Sequence, residues 1–154
     1  MGVFDKLKSA ANFVTGGAAT VTIEWHPAIA FPGEPINVRV TAQSTGGAIN
    51  SGGVFVDVAA HEQLNIPQNA LGNNNPHVSH TKQTYSHTHQ IAPAFQLGAG
   101  QQMQWEGQIQ LPPQAQPTYD GPFADHDWGM RGRIEMTGND PDSGFVKFFV
   151  GKRQ

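Results

Sequence analysis

The chain has 154 residues, a formal net charge of -3 and no cysteine, which suits one domain and excludes disulfides, thiolate metal sites and cysteine nucleophiles. The few lysines and arginines are scattered, so the composition argues against a nucleic-acid binder, because phosphate recognition relies on clustered cations. Since no apolar run approaches the ~20 residues of a membrane-spanning helix and cysteine is absent, we expect a cytoplasmic protein.

The first segment, residues 1–17, is predicted to carry a short amphipathic helix. Apolar residues recur there at helical spacing, and Gly16 and Gly17 follow as a stop signal. The helix face is predicted to dock on its own domain, on a neighbouring molecule or in a membrane interface. The predicted interaction residues are Val3, Phe4, Leu7, Phe13 and Val14.

Residues 18–154 are predicted to form a single β-sandwich domain. The segment 102–111 shows the pattern most clearly, because every odd position except Gly107 is apolar and every even position is polar. Similar alternation recurs along the chain, so we predict an all-β, antiparallel, immunoglobulin-like sandwich of seven to eight strands. Trp25, Trp105 and Trp128 share strand parity with aliphatic residues or Met and are predicted to lie in its core.

Residues 63–80 are rich in Asn, Gln, Pro and His, with few apolar residues. This composition predicts a long exposed loop, and such loops are often functional or mobile. A strand is then predicted over residues 82–90 and another around residues 94–97.

Several short motifs resemble the arrestin-type β-sandwich. The run from Phe31 to Glu34 is similar to that fold's aromatic-Pro-Gly-Glu turn, and Trp105 to Pro113, followed by Pro117 to Tyr119, is similar to its strand, Leu-Pro and Pro-Ser/Thr-aromatic signature. The start, Met1 to Lys8, also resembles the lead segment of bacterial sporulation-control proteins. The resemblance implies a binding or scaffold role without catalysis.

The sequence departs from the arrestin pattern in three respects. The segment from Asn37 to Arg39 lacks the glycine that often follows the turn, and the chain has room for one sandwich instead of two. No Arg/Asp pattern matches the polar core and phosphate sensor of the signalling arrestins, so those features are not carried over.

Histidines offer the main alternative to a pure interaction role. In His87-Thr88-His89 both imidazoles share one face of a strand, where they would chelate Zn, Ni or Cu. The other interpretation is that these histidines are ordinary polar residues of a surface poor in charge. The metal candidates are His77, His80, His87 and His89, with His61 or Asp57 as further ligands.

Two acidic motifs carry weaker hypotheses. In Asp125-His126-Asp127 a carboxylate would orient a histidine base, as in a hydrolase, or the three residues are the polar start of a strand. The run from Asp140 to Gly144 resembles part of a calcium loop but lacks the distal Glu, so an Asx-type turn is the other interpretation.

The sequence therefore predicts a non-catalytic interaction or scaffold module of arrestin-like type. Its expected partner is a protein or further copies of itself in an oligomer or filament, and peripheral membrane contact through the helix is a further option. We expect no cofactor, nucleic acid or small-molecule substrate. A histidine-based metal-binding sandwich is the alternative function.

Overall fold

The computed structural model describes residues 13–15, 17–72 and 76–154. These residues form twelve strands and one short helix, α1 (Gln68–Leu71). The strands are β1 (Phe13–Thr15), β2 (Ala19–His26), β3 (Ile29–Ala30), β4 (Pro35–Ser44), β5 (Ile49–Ser51), β6 (Val54–Ile66), β7 (Val78–Ala92), β8 (Phe95–Leu97), β9 (Gln102–Gln110), β10 (Tyr119–Asp120), β11 (Ala124–Ile134) and β12 (Val146–Val150).

The strands form two main sheets and a small one. The first sheet has the order β1-β2-β4-β9, with every neighbouring pair antiparallel. The second sheet has the order β3-β12-β11-β6-β7, and β10 pairs with the beginning of β11. The β12–β3 pair is parallel, whereas the other pairs of this sheet are antiparallel. Strands β5 and β8 form the small sheet.

The period-2 alternation explains how the two main sheets pack. In β2, β4 and β11 successive residues alternate between buried and partly exposed, because successive side chains of a strand point to opposite faces. The buried faces meet in one core, in which the Trp128 ring packs 6.0 Å from Phe148. Its largest fully buried apolar side chains are Trp128, Phe148, Ile23, Ile36, Leu97, Leu111, Met130 and Ile134.

The all-β sandwich predicted from the sequence is confirmed, with corrections to its parts. There are more strands than predicted, because short pieces such as β3, β5 and β10 carry too few residues to show a period. Trp25 and Trp128 are buried as predicted, whereas Trp105 is only partly buried and packs against Phe95 with ring centroids 4.4 Å apart. The reason is that β9 is an edge strand of its sheet.

The predicted N-terminal helix is wrong at its C-terminal end. Phe13 and Val14 lie in β1, which pairs antiparallel with β2. Both residue types favour strands, and pairing with a neighbouring strand outweighs the helical spacing of the apolar residues. The other predicted interaction residues, Val3, Phe4 and Leu7, lie outside the described residues.

The predicted long loop over residues 63–80 is also wrong. Strand β6 continues to Ile66, and β7 begins at Val78 and extends to Ala92, so only residues 67–77 separate two long paired strands. The error has a physical cause, because β7 is an edge strand that needs no regular apolar face. Of the described residues, none belongs to a helix long and apolar enough to cross a membrane.

Candidate interaction surface

A row of small side chains crosses the outer face of the second sheet. Gly129 of β11 is paired with Ala59 of β6, and Ala59 is paired in turn with Ser86 of β7. Because none of these residues has a long side chain, the row forms the floor of a trough of about 520 Å³. The trough is lined by Ala59, His61, Gln83, Asp127, Trp128, Gly129, Phe145 and Lys147.

Exposed apolar side chains border the trough on the β12 side. Phe145 is 52% exposed, and the Arg131 guanidinium lies 4.7 Å from the centre of its ring. Phe149 of β12 is paired with Ile29 of β3, and both are about half exposed. An exposed apolar cluster flanked by charged residues is typical of a surface that binds a partner.

Carboxylates form one side of the trough. Asp127 makes an ion pair of 2.8 Å with Lys147, and the hydrogen bond from Lys147 raises the pKa of that lysine. On the same face, Asp125 is paired with Asp120 across β11 and β10. A side-chain hydrogen bond with Asp120, with desolvation and the charges of Asp120 and Asp127, raises the pKa of Asp125. This side therefore has more carboxylates than cations.

The opposite side of the trough is a network centred on Asp57. Its carboxylate accepts hydrogen bonds from Thr88 at 2.7 Å, Arg131 at 2.8 Å and Arg133 at 2.9 Å. Burial alone raises the pKa of Asp57, but these three donors outweigh burial and lower the pKa below its usual value. Arg133 also donates to Asp140.

This network was missed by the sequence analysis, since Asp57 and the arginines are far apart in the chain. The available signal was the position of Asp57, which lies on the strand face opposite Val56 and Val58. A carboxylate on this face of β6, together with arginines on the same face of the paired strand β11, indicates a cross-strand charge pair.

The outer edge of β7 pairs with no other strand among the described residues, although Ile91 near its C-terminal end packs against Gly107 of β9. Among the described residues this 15-residue strand is hydrogen-bonded to β6, and it is the last strand of its sheet. Lys82 is its only Lys, Arg, Asp or Glu. The pairing with β6 shifts register at two points, next to Thr84 and next to Ile91, and it is regular from Tyr85 to Gln90. An unpaired strand edge with little charge is a template for adding another strand.

The histidines proposed as metal ligands do not form one site. His77 hydrogen-bonds Asn65, and His80 is exposed near the start of β7. His80 and His87 lie seven positions apart in the same strand, roughly 23 Å at ~3.3 Å per residue. In the described part of the chain, no group of three or more His, Cys, Asp or Glu residues is placed to hold a metal ion.

His87 and His89 do lie together, on the inner face of the β7 edge. Their ring centroids are 4.5 Å apart, and Nε2 of His89 is buried without a hydrogen-bond partner among the described residues. Desolvation by burial, with the neighbouring His87, lowers the pKa of His89. These two residues form a pair of nitrogen donors, not a complete coordination shell.

The Asp125-His126-Asp127 hypothesis of a hydrolase is contradicted by the orientation of the histidine. His126 is fully buried and its Nδ1 donates to the Pro117 carbonyl at 2.9 Å, while Nε2 lies 2.7 Å from the Thr84 hydroxyl. Neutral His126 therefore carries its proton on Nδ1 and accepts at Nε2. The two aspartates alternate with it along β11 and point to the opposite face, so neither orients the imidazole.

The acidic turn near the C-terminus has the Asx-type geometry. Asp142 accepts a hydrogen bond from the Gly144 amide, and Asp140 accepts from the Met136 amide and from Arg133. Asp142 and Asp140 therefore stabilise the turn, and Asp140 also extends the Asp57 network through Arg133.

No protein-family model matches the chain, and no curated protein matches its sequence. The fold, however, is similar to a solved structure, the sporulation control protein Spo0M from Bacillus subtilis, with a TM-score of 0.63 and 17% sequence identity. The similarity covers 89% of this chain and 51% of that protein, so the chain spans about half the length of the structure it resembles.

The predicted resemblance to the arrestin-type sandwich of the sporulation-control proteins is thus confirmed at the level of the fold. At this level of identity, the similarity concerns architecture and leaves function to be argued from the surfaces described above.

Proposed function

We propose that this chain is a non-catalytic protein-interaction module that associates with a second copy through the open edge of β7. The observation that carries the proposal is a long edge strand with one lysine and no other fixed charge. Natural proteins usually protect such edges with charges, prolines or distortion of the strand. Here the regular stretch from Tyr85 to Gln90 has no Lys, Arg, Asp, Glu or Pro.

The register shifts define where pairing would occur. Bulges twist an edge strand and discourage the addition of another strand. The two shifts of β7 lie at either end of Tyr85 to Gln90, so this segment is the flat part of the edge. Antiparallel pairing of two such segments across a two-fold axis would give each copy the same contacts.

The rest of the molecule supports a binding role. Thr88 holds the centre of the edge segment to Asp57 and through it to Arg131, so the segment is fixed before any partner arrives. A rigid edge loses little conformational entropy on pairing. The similar fold of a protein described as a sporulation control protein also supports a regulatory role without catalysis.

A single charge on the edge tests this function. In His87→Lys an exposed side chain in the middle of the segment gains a fixed charge, which should disfavour strand addition. Gln43→Lys is the matched control, because Gln43 is exposed on β4, a strand that is paired on both sides. We expect concentration-dependent dimers of the parent chain and of Gln43→Lys in sedimentation velocity, and a monomer for His87→Lys.

Two results would contradict the proposal. One is a parent chain that remains monomeric at every accessible concentration, and the other is a dimer that His87→Lys leaves intact. Thermal unfolding of both variants should match that of the parent, which shows that any loss of association is not a loss of fold.

The His87–His89 pair favours a second candidate function, weak metal binding. A buried Nε2 without a partner, beside a second imidazole, provides two donors on one strand face. Two ligands hold Zn²⁺ or Ni²⁺ weakly, so we expect binding that a chelator reverses and that His89→Gln abolishes. Stoichiometric metal that survives dialysis against chelator would instead make metal binding the principal function.

A further inference from the structure

We infer that pairing at β7 completes a metal site in which His87 and His89 of both copies hold one divalent transition-metal ion. The inference rests on the proposed pairing and goes beyond it, because it assigns a ligand to the dimer and fixes the register of the two strands. It also differs from the weak binding expected of a single chain, since one copy supplies only two of the four ligands.

Both imidazoles lie on one face of β7. His87 is paired with Val58 of β6 and His89 with Val56, and directly paired residues share a face of the sheet. The centroids of the two imidazole rings are 4.5 Å apart. An ion bound by one ring is therefore within reach of the other.

The Nε2 atom of His89 is the observation that points to a ligand. It is buried and has no hydrogen-bond partner among the described residues. Burial, with the charge of the neighbouring His87, lowers the pKa of His89, so its imidazole is unprotonated at neutral pH. The neutral imidazole is the form that binds a metal ion. The neighbouring His87 is exposed, so its side chain can turn a nitrogen toward the same ion.

Two-fold symmetry limits the registers in which two β7 edges can pair. Residues directly opposite each other share a face, and successive residues alternate between faces. An antiparallel pair with two-fold symmetry must therefore place one residue opposite its own copy at the axis. Within the regular segment from Tyr85 to Gln90, the central residues are His87 and Thr88. A register centred on either of them keeps the pairing inside this segment.

Pairing centred on Thr88 brings the four imidazoles together. His87 of each copy then lies opposite His89 of the other copy, on the same face of the combined sheet. Opposite Cβ atoms are about 5 Å apart and residues two positions apart in a strand about 7 Å apart, so the four side chains start from the corners of a small rectangle. An imidazole nitrogen binds Zn²⁺ at about 2.0 to 2.1 Å, and four ligands complete its tetrahedral shell. All four rings can therefore meet at one ion.

Pairing centred on His87 would instead place His89 opposite Tyr85 of the other copy. The Tyr85 ring packs against Trp128, with ring centroids 5.3 Å apart, so this register would leave Nε2 of His89 without a partner. In the register centred on Thr88, the Thr88 hydroxyl remains bonded to Asp57 on the opposite face of the sheet, away from the ion. A bound ion therefore favours the register centred on Thr88.

The dependence of dimerisation on Zn²⁺ tests the inference on the full chain. Titration calorimetry of the dimer should give one Zn²⁺ for every two chains. With Zn²⁺ at ten times its dissociation constant from the dimer, sedimentation equilibrium should show a dimer dissociation constant about tenfold lower than in chelator, because the ion binds the paired form preferentially.

Substitution of the histidines by glutamine provides the variants and their control. His87→Gln and His89→Gln add no charge to the edge, so both should dimerise in chelator as the parent does, and both should lose the response to Zn²⁺. His80→Gln is the matched control, because His80 is exposed on the same strand but outside the paired segment, and it should keep the response. Equal far-ultraviolet circular dichroism at neutral pH shows that the variants keep the fold.

The outcomes separate this inference from the proposed pairing. A parent chain that dimerises equally well in chelator and in Zn²⁺ would overturn the metal site and leave the pairing intact. A response to Zn²⁺ that survives in His89→Gln, or one ion bound for each chain, would also overturn the metal site. A parent chain that stays monomeric under both conditions would overturn both proposals. Dimers that need Zn²⁺ and are lost in both glutamine variants would support the site and contradict pairing without metal.

Discussion

Asp57 joins three strands of the second sheet through one carboxylate. It lies on β6, is 8% exposed, and accepts hydrogen bonds from Thr88 of β7 and from Arg131 and Arg133 of β11. Each guanidinium also lies over a phenylalanine ring, Arg131 over Phe145 and Arg133 over Phe55. The side chains of this face are therefore held by charge and by aromatic packing together.

Replacing Asp57 by Ala should destabilise the protein by about 2 to 3 kcal/mol, because it leaves two partly buried guanidinium groups without their shared acceptor. Urea unfolding measures the change in free energy. Glu34→Ala is the control, since it removes an ion pair with Arg153 that is largely exposed, and we expect it to have little effect. Equal losses in the two variants would show that the Asp57 network adds nothing beyond a surface ion pair.

His89 makes the stability of the β7 edge depend on pH. Its pKa in the folded protein is lowered by burial and by His87, so the unfolded chain binds a proton at a higher pH than the folded protein does. Stability is therefore unaffected well above the unfolded-state pKa of about 6.5, and falls as the pH drops through that value toward the lower folded pKa. His89→Gln should reduce this loss, measured by urea unfolding between neutral and mildly acid pH. The same substitution at the exposed His80 is the control, and an identical pH dependence in both variants would contradict the assignment to His89.

The elements differ in how far the sequence predicts them. The alternation of β4 predicts a strand whose buried residues the structure confirms, because that face packs on the core. The same alternation predicts β9 as a strand, but only Ile109 of its apolar residues is fully buried. Strand β7 has no such signal. Its side chains are mostly exposed, and it is fixed by backbone pairing with β6, which the local sequence does not record. The helix predicted over the β1 segment is wrong for a related reason, since pairing with β2 outweighs the helical spacing of its apolar residues.

The candidate site could be predicted from the sequence only in part. The Gly129 and Ala59 floor depends on the register between β11 and β6, and neither residue is unusual by itself. The burial of His126 also depends on a distant partner, because Thr84 reaches it from the register shift in β7. Sequence spacing places His126 between two aspartates, but it does not show which face of the strand is the inner one.

The two ends of the N-terminal region should behave differently on truncation. Removing residues 1–12 leaves β1 in place, so the melting temperature should stay close to that of the full chain. Removing residues 1–17 also removes β1 and exposes the edge of β2, whose Val21 and Ile23 are buried, so we expect lower stability and aggregation. Thermal unfolding and light scattering of the two truncations measure both effects. If both truncations behave alike, β1 contributes nothing to the protection of that edge.

At the scale of the whole molecule, the two main sheets have different surfaces. The first sheet ends in β9, where Trp105 packs against Phe95 of β8 in the small sheet. The second sheet combines the trough, the exposed phenylalanines and the open β7 edge on one side of the molecule. The second sheet thus carries both the edge proposed for strand pairing and an exposed apolar face.

Amide hydrogen exchange along β7, compared between dilute and concentrated protein, tests the proposed pairing most directly. Amides on the outer edge of the segment from Tyr85 to Gln90 face solvent in a monomer and are hydrogen-bonded in a dimer. We predict that they become slower to exchange as the concentration rises, that amides of β4 do not change, and that His87→Lys abolishes the effect. Exchange at these amides that is equally fast at every concentration would contradict the account.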